Sequence, residues 1–130
     1  VTNPDFKGHL LARYGCTKGS PEYSARLVSA YTDHFVDVFT QKPVGAGVIK
    51  IADFIDNATQ LEGVRSDPTS YTWFLRKYRP CVAFLREFLP SASHAFPPLQ
   101  KAAEAALPRL DAAWERYYAE KRDPNSSLHN

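Results

Sequence analysis

The chain has no methionine, only two cysteines and six glycines, and almost no excess of charge of either sign. Each shortage excludes something. A net charge of +2, from 16 basic and 14 acidic residues, implies no polyanionic partner from overall charge, so any basic site has to be local. Cys16 and Cys81 lie far apart, with no CxxC or other ligand spacing, so neither a zinc nor a redox motif can be built on them. Two separate thiols is the favoured reading, with a single bridge left open. The longest unbroken apolar run, 81–85, is far short of the roughly 20 residues that span a bilayer. No His-Glu-x-x-His or Glu-x-x-His pattern occurs, which argues against a zinc or di-iron bundle site. Nor does spacing suggest a Ser-His-Asp, Cys-His or paired-carboxylate arrangement, so no catalytic residue, metal or cofactor is expected. A methionine-free chain starting at Val1 reads as processed or trimmed. An organellar, mitochondrial protein after presequence removal is the first expectation, with secreted or cytoplasmic placement open.

What is present points to helices. The 130 residues suit one domain, and 44% hydrophobic with 23% charged residues are ordinary globular values. Asn3-Pro4-Asp5, Ser20-Pro21-Glu22 and Asp67-Pro68-Thr69 each set a capping side chain before a proline at the first helical position. The cap accepts a hydrogen bond from an orphan N–H, and proline lacks an N–H that had no partner there anyway. Gly15 and Gly63 are good stops. Together with the apolar period, these signals predict helices near 4–14, 21–41, 44–62, 68–89 and 97–122. The fold expected is all-α: a single-domain, up-and-down bundle of about four long amphipathic helices plus a short N-terminal one. It spans 1–122, and 123–130 forms a polar tail. Short connections predict antiparallel neighbours.

The expected faces are specific. Tyr23, Leu27, Tyr31, His34, Phe35 and Val38 share one stripe of the 21–41 helix, and Val44, Val48, Ile51, Ile55 and Ala58 turn inward on the next. Tyr71, Phe74, Leu75, Tyr78, Val82, Leu85 and Leu89 stay in phase through Pro80. Leu99, Ala103, Ala106, Leu110, Ala113 and Tyr117 do the same through Pro108. Unbroken phase predicts proline kinks in the last two helices rather than breaks, with both prolines on the outer side.

Candidate sites follow from departures from this pattern. On the 68–89 helix, Trp73, Cys81, Phe84 and Phe88 form an apolar flank beside the core stripe, with Lys77 at its edge. That helix is therefore either central in the bundle or partly covered by another chain, since a large aromatic patch is rarely left wet. A partner interface at Trp73, Lys77, Cys81, Phe84 and Phe88 is the expectation. The opposite flank carries Arg76, Arg79 and Arg86, which are possible phosphate contacts for nucleic acid or lipid head groups, although helix-borne arginines more often pair on the surface. His34 reads as a core-edge imidazole. Gly45-Ala46-Gly47 with Lys50 lacks Walker spacing and reads as a flexible helix entry. The Ala102, Ala103, Ala106 and Ala113 strip reads as close helix packing, with room for an apolar ligand as the alternative. The functional expectation is a non-enzymatic interaction or assembly subunit of a larger protein complex, possible partners being other protein subunits. A helical carrier of a lipid or other apolar ligand, or a nucleic-acid-binding module, is the alternative.

Overall fold

The computed structural model describes residues 21–119. The expected 4–14 helix, Cys16 and the 123–130 tail lie outside the described residues. Helices α1 (Pro21–Thr40), α2 (Val44–Thr59), α3 (Pro68–Ala92) and α4 (Pro97–Ala113) make up the bundle, with no strand among the described residues. Short 3-10 turns, Glu62–Val64 and Ser93–Ala95, precede α3 and α4. None of these helices is long and apolar enough to cross a membrane.

Local chemistry accounts for the boundaries. The Asp67 carboxylate accepts from the Ser70 hydroxyl at 2.9 Å and from its backbone N–H at 3.4 Å, while Tyr71 N–H bonds the Asp67 carbonyl at 2.9 Å. This is the capped, proline-led start that the sequence predicts. Three other boundaries move. Helix α2 ends at Thr59 rather than 62, because Leu61 turns into the core and is 2% exposed. Helix α3 continues through Pro90 as well as Pro80 and ends at Ala92. After Ala113 the last helix widens to a π turn over Trp114–Tyr118, closed by Ala119 N–H on the Trp114 carbonyl at 2.7 Å. Two adjacent tyrosines, Tyr117 and Tyr118, must both be buried there, and the wider turn changes their phase relative to the α-helix before it.

The order of helices around the bundle differs from the simple expectation. Phe39 and Phe88, near the ends of α1 and α3, meet at 5.8 Å between ring centroids, and Tyr31 meets Tyr78 at 6.3 Å, so these two helices run parallel. Gly47 lies against Leu99, and Arg109 further on reaches Asp56 and Thr59, so α2 and α4 are parallel too, and they are the most closely packed pair. Arg86 bonds Asp111, and Arg79 reaches the carbonyl of Tyr118, which makes α3 and α4 antiparallel. Helices α1 and α4 do not pack on each other. Around the bundle the order is thus α1, α3, α4, α2, and the 60–67 connection crosses the diagonal. At about 3.3 Å per extended residue that connection has ample reach.

One apolar core runs through all four helices, from Phe35, Ile51 and Phe54 to Val82, Leu85, Leu89 and Leu110. Tyr23 and Leu27 belong to a satellite cluster with Ala30 and Trp73. Two expected core positions do not hold. His34 is exposed, because it sits about 100° round the helix from Phe35, which is fully buried, and among the described residues α1 has neighbours only on its α2 and α3 sides. Val44 opens α2 and is 47% exposed instead of turning inward. Both expected mid-helix prolines are inside helices. Pro108 is exposed, whereas Pro80 is half-buried beside α1 rather than on an outer face.

Candidate functional site

Helix α3 is apolar over more than half its circumference because it has neighbours on two sides within this chain. Its stripe of Tyr78, Val82, Leu85 and Leu89 fills the core, and its flank lies along α1. Phe84 and Phe88 stack on each other at 5.0 Å, and Phe39 of α1 closes on both at 5.9 and 5.8 Å. Trp73 packs on the Tyr23–Leu27 cluster. Of the expected interface, Cys81 is fully buried and Lys77 is 8% exposed, so neither is available to a partner. Trp73, Phe84 and Phe88 are half-buried under α1. The sequence pattern contained the two-sided helix correctly; which chain covers the second side is a tertiary matter.

Lys77 sits in an unusual setting. Its ammonium lies 4.7 Å from the Tyr31 ring centroid and 5.3 Å from that of Tyr78, and Lys50 approaches Tyr31 from α2 at 5.8 Å. Aromatic faces stabilise such a cation by about 0.5–2 kcal/mol, more as water is excluded. Cys81 lies close by, and burial pushes its thiol up to about 12, against the opposing effects of Thr32, Lys50 and Lys77. A thiol so raised carries almost no thiolate near neutral pH. Native protein at pH 8 is therefore expected to leave Cys81 unlabelled by a thiol-disulfide reagent until denaturant opens the core. Fast stoichiometric labelling of this residue in the folded state, read by peptide mass, would contradict the placement.

The α2–α3 connection is tied down by charge. Glu62 accepts from the Tyr117 hydroxyl at 3.0 Å, from Arg65 at 3.0 Å and from Arg116 at 2.6 Å. The Tyr117 bond, then the two arginines, hold its carboxyl below the ordinary carboxylate range despite some opposing desolvation. The Ser70 bonds do the same for Asp67. A depressed carboxylate adds stability above its unfolded value, and that stability is lost as pH falls through the folded value. Acid unfolding is thus expected to weaken the protein below about pH 4, and a Glu62→Gln variant should show a shallower acid limb in denaturant titrations at stepped pH. Equal slopes for both proteins would remove Glu62 from this account.

The basic flank of α3 divides. Arg79 donates from Nε to the Tyr118 carbonyl at 2.8 Å, and Arg86 pairs with Asp111 at 2.8 Å and lies 5.0 Å from the Trp114 ring centroid. Both join α3 to the end of α4. Arg76 is exposed and, with Arg79 and Pro80, borders an open groove of 510 Å³ whose other wall is Ala25, Ser29 and Asp33 of α1. No family model, curated protein or solved structure matches the chain.

The remaining features resolve into packing. Ala103, Ala106 and Ala113 are buried in the core, where small side chains let α4 approach α2 closely. In the Gly45-Ala46-Gly47 segment, a Cβ on Gly47 would come within 3.0 Å of the Phe39 ring, whereas one on Gly45 meets nothing. Gly47 therefore serves the close contact of α1 with α2, inside the helix rather than in a flexible entry. The surface that sequence reasoning missed is the outer side of α2, where Ile49 is 67% exposed and Val44 47%. Its signal was weak, because the 44–62 apolar pattern supplies more hydrophobic residues than one helix face can bury.

Proposed function

We propose that the chain is a non-enzymatic helical assembly subunit, which offers the outer face of α2 and the adjoining end of the bundle to another protein. The observation that carries this reading is the exposure of Ile49 and Val44, the large hydrophobic side chains left open among the described residues. Covering such a side chain contributes about 1.5–3 kcal/mol, which a partner gains and an isolated domain forgoes. Phe39, Phe84 and Phe88, half-buried where α1 ends and α2 begins, extend the apolar surface at that end. The arginines and tyrosines that could serve chemistry are largely engaged in joining helices, which also favours a structural role. The same engagement of Arg79 and Arg86 leaves a nucleic-acid or lipid-headgroup role with less support.

The test is the mass of the protein purified from its source under native conditions. Wild-type chain is expected in an assembly heavier than the monomer, and Val44→Asp with Ile49→Asp should release it as free chain with unchanged circular dichroism and melting point. A wild-type chain that purifies as a free monomer sinks the reading, as does an assembly indifferent to both substitutions. Trp73 and Phe84 are unsuited to this test, since their packing on α1 means that truncation lowers the stability of the domain itself.

A further inference from the structure

We propose that the protein docked on the outer face of α2 is a second copy of this chain, the two α2 helices packing antiparallel about a two-fold axis at Ile49. This rests on the assembly function proposed for that face and names its partner.

The face is self-complementary in shape. At about 100° per residue, Gly45, Ala52, Asp53 and Asp56 all fall within about 60° of Ile49, opposite the core-facing Ile51, Phe54 and Ala58. Those four residues and Ile49 are exposed, and Ile49 is the large apolar side chain among them. Its neighbours along the ridge are small: Gly45 and Ala46 before it, Ala52 after it. A Cβ on Gly45 would meet nothing within this chain, so packing inside the bundle does not account for this glycine as it does for Gly47. A helix laid along the ridge can approach the backbone closely there. In an antiparallel pair centred on Ile49, each residue after 49 faces the residue an equal number of positions before it. Ile49 then meets its own copy, and Ala52 meets Ala46.

The same operation pairs the charges. Asp53 and Asp56 occupy the C-terminal half of the ridge, and Lys42 stands just before its N-terminal end. Among the described residues neither Lys42 nor Asp53 makes an ion pair. The first turn of α2 holds no acidic residue, and Pro43 supplies no capping side chain, so the positive end of the helix lacks a carboxylate of its own. Antiparallel pairing sets Asp53, about 6 Å past Ile49 along the axis, beside Gly45 in the first turn of the second copy. Asp56, three residues further on, comes level with Lys42 of the second copy. Each contact occurs twice, as a two-fold interface requires. The two Asp53 carboxylates stand about 12 Å apart along the axis, beyond the screening length of about 8 Å at physiological salt. Parallel pairing would instead set acid against acid.

One helix seam is a small interface, so the dimer is weak and concentration-dependent. Sedimentation equilibrium of the purified full chain is expected to show monomer and dimer in exchange, with a Kd of about 100 µM or tighter that weakens as salt is raised. Ile49→Asp and Asp53→Lys should each weaken it roughly tenfold or more. Both side chains are exposed, so circular dichroism should not change. Cross-linking reads the register in a Cys16→Ser background, which leaves the introduced thiol as the reactive one. Ile49→Cys should form a disulfide-linked dimer on mild oxidation, because the two-fold axis brings the residue to its own copy. Asp53→Cys should not cross-link alone, but should do so when mixed with Gly45→Cys. A chain that stays monomeric at every concentration overturns the proposal, as does a dimer indifferent to Ile49→Asp and Asp53→Lys. Asp53→Cys cross-linking to itself as readily as Ile49→Cys overturns it too. If the purified chain is monomeric while the assembly from its source is heavy and is released by Val44→Asp with Ile49→Asp, self-pairing fails and the assembly function stands.

Discussion

Leu85→Ala and Leu110→Ala are each expected to lower the unfolding free energy by about 2–5 kcal/mol. Both side chains are 0% exposed and lie in the core common to all four helices. Truncation removes the transfer free energy of the lost carbons and leaves a cavity that a closely packed α3–α4 seam can collapse only in part. Leu27, 9% exposed in the satellite cluster beside Trp73, should fall at the low end of that range, because its surroundings can relax. Urea denaturation at equilibrium, with the slope checked for constancy, reads all three. If Leu27→Ala proves the most damaging, the division between main core and satellite is wrong.

Tyr118→Ala is expected to cost about 3–5 kcal/mol, and Tyr118→Phe about 1–3 kcal/mol. Tyr118 is the largest fully buried side chain among the described residues, and its hydroxyl donates to the Ala58 carbonyl. Ala58 lies in the last turn of α2, where carbonyls have no donor within their own helix, so the tyrosine caps α2 from the far end of the chain. Tyr118→Phe keeps the ring and orphans that buried carbonyl. Its cost therefore isolates the hydrogen bond, and the difference between the two variants isolates the packing of the ring. The Arg79 bond to Tyr118 uses the backbone carbonyl and survives both changes. A Tyr118→Phe protein with an unchanged denaturation midpoint would show that Ala58 finds another donor, and would remove the cap from the account.

These two predictions mark where the sequence was legible and where it was not. Leu85 and Leu110 could be placed in the core from phase alone, since both recur in step with neighbours through a proline. Tyr118 could not. It follows Tyr117 directly, about 100° round an ideal helix, and the turn that carries both is a π turn over Trp114–Tyr118, whose phase the 3.6-residue period does not give. His34 failed for a related reason. Its angular position is at the margin of the stripe, and whether a margin is wet depends on where the neighbouring helix lies. Of the expected interface, Cys81 and Lys77 are buried within the chain, while Trp73, Phe84 and Phe88 lie along α1 and stay half-buried.

Residue order is enough for the helical class, the capped start at Asp67, the passage of α3 and α4 through Pro80 and Pro108, and most of the core leucines. Those properties are local: capping, proline geometry and the 3.6-residue period act over a few turns and leave a direct trace in residue order. Tertiary structure alone decided that the 60–67 connection crosses the diagonal and that α1 and α3 lie parallel. No local rule selects among circuits of four amphipathic helices. The choice rests on which side chains interlock once the helices meet.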